Sequence, residues 1–162
     1  MFSEKEIEFY RGLDIYSRSE ALVNRFFKSK IDKSNHDYRE HLRHVSEDFT
    51  NKKVKSLALL HDILEDTEVT SSDLLNLGYS KSEVSVLEIL TNTCDNYEEY
   101  IDNILNSNNK MALNIKVKDL LHNMDLTRLK KITPRDIKRA KKYLNAYIKI
   151  IETLEGEEYD RY

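Results

Sequence analysis

The run Ala58-Leu59-Leu60-His61-Asp62-Ile63-Leu64-Glu65-Asp66-Thr67 is the part of this chain best equipped for chemistry. An apolar helical stretch stops at His61-Asp62, and Glu65-Asp66 follows two residues later. Burying the leucines pulls the imidazole and the carboxylate towards the interior, where both are costly unless paired or bound to a metal. Glu65, four residues after His61, is expected on the same helical face, within reach of the same pocket without being a ligand. Two further ligand sources fit. One is His41 or His44, on the preceding helix. The other is Asp119, inside the apolar run Leu113, Ile115, Val117, Leu120, Leu121. Asn123 lies one turn beyond Asp119 on the same face. His36 reads as a loop residue and His122 as a packing or hydrogen-bonding residue.

Two imidazoles and two carboxylates make a mixed nitrogen and oxygen site, which suits Mn²⁺, Fe²⁺ or Zn²⁺ better than Ca²⁺. Four protein ligands on an octahedral ion leave two positions for water or substrate. That arrangement suits hydrolysis, because the metal lowers the pKa of bound water and polarises a phosphoryl oxygen. A neighbouring carboxylate then orients or deprotonates the water.

Helices must position these groups. The 162 residues hold only 3 Gly and 1 Pro, too few for a turn-rich β-sandwich or barrel. The glycines, Gly12, Gly78 and Gly156, form no phosphate-cradling loop. Ser3-Glu4-Lys5-Glu6 and Ser80-Lys81-Ser82-Glu83 are capping boxes, and Thr70-Ser71-Ser72-Asp73 caps a short helix stopped at Gly78. Apolar spacing predicts helices over about 15–30, 38–49, 52–64, 97–105 and 111–129. Thr133-Pro134 starts the last helix, which runs to about Leu154 before a frayed tail, 155–162. No segment alternates with period two. The expected fold is therefore all-α, a compact irregular multi-helix bundle forming one domain over 1–162, with the motifs between about 32 and 129. The ten tyrosines are expected in core and rim packing.

The net charge of −3 argues against general nucleic-acid binding, since such proteins carry a basic excess. The basic stretches 52–55 and 130–142 read as solvated helix faces. No apolar run approaches the ~18 residues of a membrane span, and the charged N-terminus does not read as a secretory signal. One cysteine, Cys94, excludes an internal disulfide framework and reads as a packing residue; a cytoplasmic setting is the expectation. A homo-oligomer is compatible with the sequence, which does not specify one.

Three blocks, in order, resemble the HD-domain phosphohydrolases, and within them the hydrolase domain of the RelA/SpoT homologues. Lys33-Ser34-Asn35-His36-Asp37-Tyr38-Arg39-Glu40-His41 is similar to that family's Arg-Lys-Ser-Gly-Glu-Pro-Tyr-x-x-His, with Val45 at the matching offset. Residues 58–70 resemble Ala-Leu-Leu-His-Asp-x-x-Glu-Asp-Thr-x-x-Thr, and residues 116–124 resemble Lys-Leu-Ala-Asp-x-x-His-Asn-Met. The resemblance implies an HD-type fold and metal ligands His41, His61, Asp62 and Asp119, with Mn²⁺ as the usual ion. It implies Glu65 and Asp66 as the water-activating pair, and Lys33, Ser34 and Asn123 on a small-molecule nucleotide substrate; Lys116 is a further candidate for that substrate, its alternative being a plain surface lysine. The activity implied is removal of pyrophosphate from the 3′ position of (p)ppGpp, giving GDP or GTP. The alternatives are the same chemistry on another nucleotide, including NADPH-like phosphates, or a non-catalytic metal or nucleotide sensor.

The chain departs from that pattern at several positions. Asp32 stands where the family has the Arg that packs on guanine, Phe27 where it often has a His, Asn35 for Gly and Asp37 for Pro. The stretch between His41 and His61 is several residues shorter than in the long enzymes. These changes spare the metal ligands and fall on the guanine site. An acidic Asp32 repels a phosphate and cannot stack as a guanidinium does.

Overall fold

Side-chain caps set where the helices begin, each contributing about 1 kcal/mol. The structure, a computed structural model, describes residues 2–159, with side chains as far as Gly156. Ser3, Thr70 and Ser80 form reciprocal capping boxes with Glu6, Asp73 and Glu83 at the starts of α1 (Glu4–Arg11), α6 (Ser71–Asn76) and α7 (Lys81–Leu90). Thr133 and Asp136 exchange the same pair of bonds at the start of α10 (Pro134–Tyr159). Asp14, Asp37, Asn51, Asn96 and Asn109 accept the first amides of α2 (Ile15–Phe26), α3 (Tyr38–Glu47), α4 (Lys52–Leu59), α8 (Tyr97–Asn106) and α9 (Lys110–Met124). A short α5 (Ile63–Asp66) and a 3₁₀ turn (Leu126–Arg128) complete the all-helical architecture. Among the described residues there is no strand, only an isolated bridge between Ile31 and Asp37.

Two apolar clusters form the core. One gathers Leu22, Leu42, Leu57, Leu59, Leu60, Leu74 and Leu87, where α2, α3, α4, α6 and α7 meet. The other gathers Tyr100, Ile104, Leu113, Leu120 and Ile150 between α8, α9 and α10. Each fully buried aliphatic side chain contributes roughly 1.5–3 kcal/mol. Helix α9 belongs to both, with Ala112 and Ile115 facing the first cluster and Leu113, Val117 and Leu120 the second. Its remaining inward stripe is polar: Lys116, Asp119 and His122 are buried at three-residue spacing. A stripe of that kind needs partners, and the site supplies them.

The expected helix over 52–64 is broken. After Leu59 the chain tightens into i→i−3 bonds, Leu60 N–H to the Leu57 carbonyl and His61 N–H to the Ala58 carbonyl, before α5 starts. His61 Nδ1 also donates to the Ala58 carbonyl at 2.8 Å, taking an acceptor that a continuous helix would use. His61 and Glu65 therefore do not share one continuous helical face. Helix α2 stops at Phe26, short of Lys30, because Phe27 turns into the core with no exposure. Helix α3 stops at Glu47 rather than Phe49. Helix α9 ends at Met124, where the Asp125 carboxylate takes the Thr127 amide and starts the 3₁₀ turn. Helix α10 passes Leu154 and continues to Tyr159, since a Gly such as Gly156 costs only about 1 kcal/mol in a helix. The expected frayed tail is thus helical as far as Tyr159, and its last residues, 160–162, lie outside the described residues. Gly78 lies at φ +95° and closes α6, with the Tyr79 amide donating to the Leu74 carbonyl.

Candidate metal centre and its cleft

Three elements bring the candidate ligands together. Helix α3 carries His41, the break after α4 carries His61 and Asp62, and the polar stripe of α9 carries Asp119. His41, His61 and Asp62 offer ligand atoms within 4.8 Å of one another, a group that could hold a metal ion. Asp119 Oδ1 joins them, 3.4 Å from His41 Nε2 and 3.6 Å from His61 Nε2. Asp62 Oδ2 lies 3.0 Å from His61 Nε2 and 3.8 Å from His41 Nε2. Of the two histidines of α3, His41 is in the cluster, whereas His44 is exposed and its ring lies tilted against that of His122.

His61 Nε2 is buried and has no hydrogen-bond partner, although two carboxylates face it. Its other ring nitrogen is committed to the Ala58 carbonyl, so Nε2 is the atom free to bind. An orphaned nitrogen facing carboxylates fits a divalent cation of the Mn²⁺, Fe²⁺ or Zn²⁺ type. Without a cation, electrostatics holds protons and charges in their place. Burial pulls the His61 imidazole down, but Asp62 and Asp119 outweigh it and hold it up to about 10. Burial pushes the Asp62 carboxyl up, and His61 more than offsets this, leaving it at about 2. Burial likewise opposes the Asp119 charge, and Lys116 with the two histidines holds that carboxyl well below the usual range.

The groups around the ligands are ordered. Lys116 Nζ donates to Asp119 Oδ2 at 2.8 Å, and Asn123 Nδ2 donates to Asp119 Oδ1 at 2.5 Å. Both were expected on the nucleotide; both line the cleft, and both are tied to Asp119. The Tyr38 hydroxyl donates to Asp62 Oδ2 at 2.5 Å, and its ring stacks on Phe27. Phe27 thus supports Tyr38 from the core. His122 Nδ1 lies 2.6 Å from His41 Nδ1. Burial, then His41 and Arg128, pull the His122 imidazole down to about 3, so it is neutral.

Above the cluster opens a cleft of about 430 Å³, lined on one side by the 30–34 segment, Glu65 and Asp66, and on the other by α8, α9 and α10. Burial pushes the Glu65 carboxyl up, and its Oε2 accepts the Asn92 amide at 2.9 Å. Asp66 is ion-paired to Lys30. Ser34 is buried at the cleft, and exposed Lys33 is pulled down by partial burial and by Arg139 and Arg135. Asn35 takes the left-handed conformation, φ +65°, which Gly or Asn adopts most readily. Asp37 caps α3.

Several lining residues carried no chemical signal in the sequence. Arg139 and Lys142, read as part of a solvated basic face, line the cleft, and Lys142 Nζ sits 3.9 Å from the Tyr97 ring centre. Tyr38, Tyr97, Tyr100 and Tyr143 line it too, beyond the packing role expected of the tyrosines. The every-fourth-residue recurrence of Arg139 and Tyr143 on one helix face was the available hint. The negative charge of Asp32 is not free to repel a phosphate. Its Oδ2 is ion-paired to Arg128, and its Oδ1 accepts the Ser34 and His36 amides at 2.8 and 2.9 Å.

No protein-family model matches the chain, and no curated protein matches it. Among the described residues no helix is long and apolar enough to cross a membrane.

Proposed function

We propose that this chain is a metal-dependent phosphohydrolase of the HD-domain type. Its best-matching substrate is a guanosine bearing a 3′-pyrophosphate, (p)ppGpp, hydrolysed to GDP or GTP and pyrophosphate. One observation carries the reading: His41, His61, Asp62 and Asp119 converge, with His61 Nε2 orphaned, at the floor of a cleft with cationic walls. These four residues would hold a divalent ion, with Mn²⁺ the first choice. When bound, such an ion supplies Lewis acidity towards a phosphoryl oxygen and towards water.

The chain's own residues supply the rest. Glu65, its carboxyl pushed up by burial, accepts the proton of the attacking water. Asp66, neutralised by Lys30, orients that water. Water oxygen bonds to phosphorus, the bond from phosphorus to the 3′ oxygen breaks, and the 3′ oxygen takes a proton. Lys33, Arg139 and Lys142 bind the phosphates, and the tyrosines wall the cleft against bulk water. Ser34, at the cleft edge, faces the nucleotide. The Asp32–Arg128 pair favours one second reading, the same chemistry on another nucleotide, since the family's guanine-packing Arg is absent.

The test is a substrate panel with Mn²⁺. Pyrophosphate from (p)ppGpp supports the first reading, and orthophosphate from mononucleotides or NADPH the second. Metal binding with no phosphate released from any nucleotide points to a sensor. Activity unchanged by a chelator, or by Asp62→Ala, overturns the catalytic reading.

A further inference from the structure

One face of α10 carries exposed aliphatic side chains together with exposed charges of both signs. Ala146 and Ile150 turn the opposite face into the core. On the outward face, at helical spacing, lie Ile137, Leu144 and Ile148, exposed by 58, 46 and 44%. Single exposed aliphatics need no explanation, but three along one helix face are the material of an interface. Lys138, Lys141, Glu152 and Glu155 share this face and are all exposed. Among the described residues the ion pairs of α10 join Arg139 to Asp136 and Lys149 to Asp102, and none uses these four.

The charges are segregated along the face. Lys138 and Lys141 lie in its first half, after Lys130, Lys131 and Arg135, and Glu152 and Glu155 lie in its second half. A partner of one sign, such as an anionic bilayer, would be attracted at one end and repelled at the other. The same helix running the opposite way matches both ends. When two copies of α10 cross antiparallel between Ala146 and Tyr147, Lys141 falls level with the partner's Glu152. Lys138 falls level with the partner's Glu155, because each pair lies equally far on either side of the crossing. Leu144 and Ile148 then meet the same two residues of the partner around the two-fold axis. Such a contact is self-complementary and closes at two copies.

We propose that the outward face of α10 is the interface of an antiparallel, two-fold symmetric homodimer, with Leu144 and Ile148 at its centre and Lys138 and Lys141 paired with the glutamates of a second copy of this chain. The inference goes beyond the function proposed above and does not depend on it. Arg139 and Tyr143, which line the cleft, lie on the other side of the helix. One helix pair buries an area at the small end for a specific interface, about 1,200 Å² or less, so the dimer dissociates on dilution.

The experiment is sedimentation velocity on the full chain across a dilution series. The expected result is a reversible equilibrium between the 19.2 kDa chain and a species of twice that mass. Ile148→Asp is expected to leave only monomer, with the helical circular dichroism unchanged because the side chain is half exposed. Lys141→Glu alone and Glu152→Lys alone each set like charges against each other twice in the dimer, and each is expected to weaken it about tenfold at low salt. The double variant Lys141→Glu with Glu152→Lys restores both pairs and is expected to recover wild-type association. Salt should shrink these differences, since the pairs are exposed. The charge variants carry the test if Ile148→Asp does not fold. A chain that stays monomeric at every concentration overturns the proposal, and binding of that monomer to phosphatidylglycerol vesicles would give the face to an anionic bilayer instead. A dimer that Ile148→Asp leaves intact, or single charge variants that the double variant does not rescue, overturns it as well.

Discussion

Lys116 Nζ and Asp119 Oδ2 form an ion pair 2.8 Å long inside α9, with both residues buried. The pair explains how a helix packed on two apolar clusters tolerates a charged stripe. Each charge is satisfied by the other, and Asp119 Oδ1 faces the histidines while accepting from Asn123. Leaving one member of a buried pair alone costs roughly 3–5 kcal/mol. Lys116→Met is therefore expected to lower the stability of the chelated protein by about that amount in denaturant unfolding. Added Mn²⁺ should restore part of the loss, because a cation at the cluster again compensates Asp119. No recovery with Mn²⁺ would argue that Asp119 is not a ligand.

Tyr38→Phe removes only the hydroxyl that donates to Asp62 and leaves the stack on Phe27. The thermal midpoint should stay within a few degrees of wild type. Mn²⁺ affinity should fall by up to about tenfold, the lower end for a group that orients a ligand. Isothermal titration with Mn²⁺ measures it.

Glu65 and Asp66 are adjacent but differ in environment, one pushed up by burial and the other paired with Lys30. Glu65→Gln is expected to cut kcat by about 10²–10⁴ while Mn²⁺ binding persists. Asp66→Asn should have the smaller effect. Because the base works only when ionised, activity should decline as pH falls through the Glu65 carboxyl, above the ordinary value of 4.5. Equal losses in both variants would remove the distinction.

The metal-free cluster should have its own pH signature. His61, at about 10 in the fold against an ordinary 6.5, stabilises fully below about 6.5 and loses that contribution as pH rises through 10. Asp62, at about 2 against 3.8, stabilises above about 3.8 and loses its contribution as pH falls through 2. Chelated protein should therefore be most stable between about pH 4 and 6.5 with respect to these groups. Near pH 8, Mn²⁺ has to displace the His61 proton, so binding should release a proton and tighten as pH rises. Titrations in buffers of different ionisation enthalpy count that proton, and none released would contradict the assignment of His61.

Local chemistry made much of this protein legible without a fold. Caps at Ser3, Thr70, Ser80 and Thr133, the stop at Gly78 and the absence of period-two alternation determine an all-α chain, because caps and periodicity act over a few residues. The same short range made His61, Asp62 and Asp119 stand out, as charged groups set into apolar runs. Only the tertiary structure brought His41 rather than His44 to the cluster and broke the helix at His61, whereas Lys116 and Asn123 meet Asp119 through helical spacing alone. The tertiary structure also brought Arg128 to Asp32 across 96 residues and set Arg139, Lys142 and the tyrosines around the cleft. A surface lysine and a cleft lysine have the same sequence neighbours. What separates them is which helix packs opposite, and that is settled by the burial of both apolar clusters on α9.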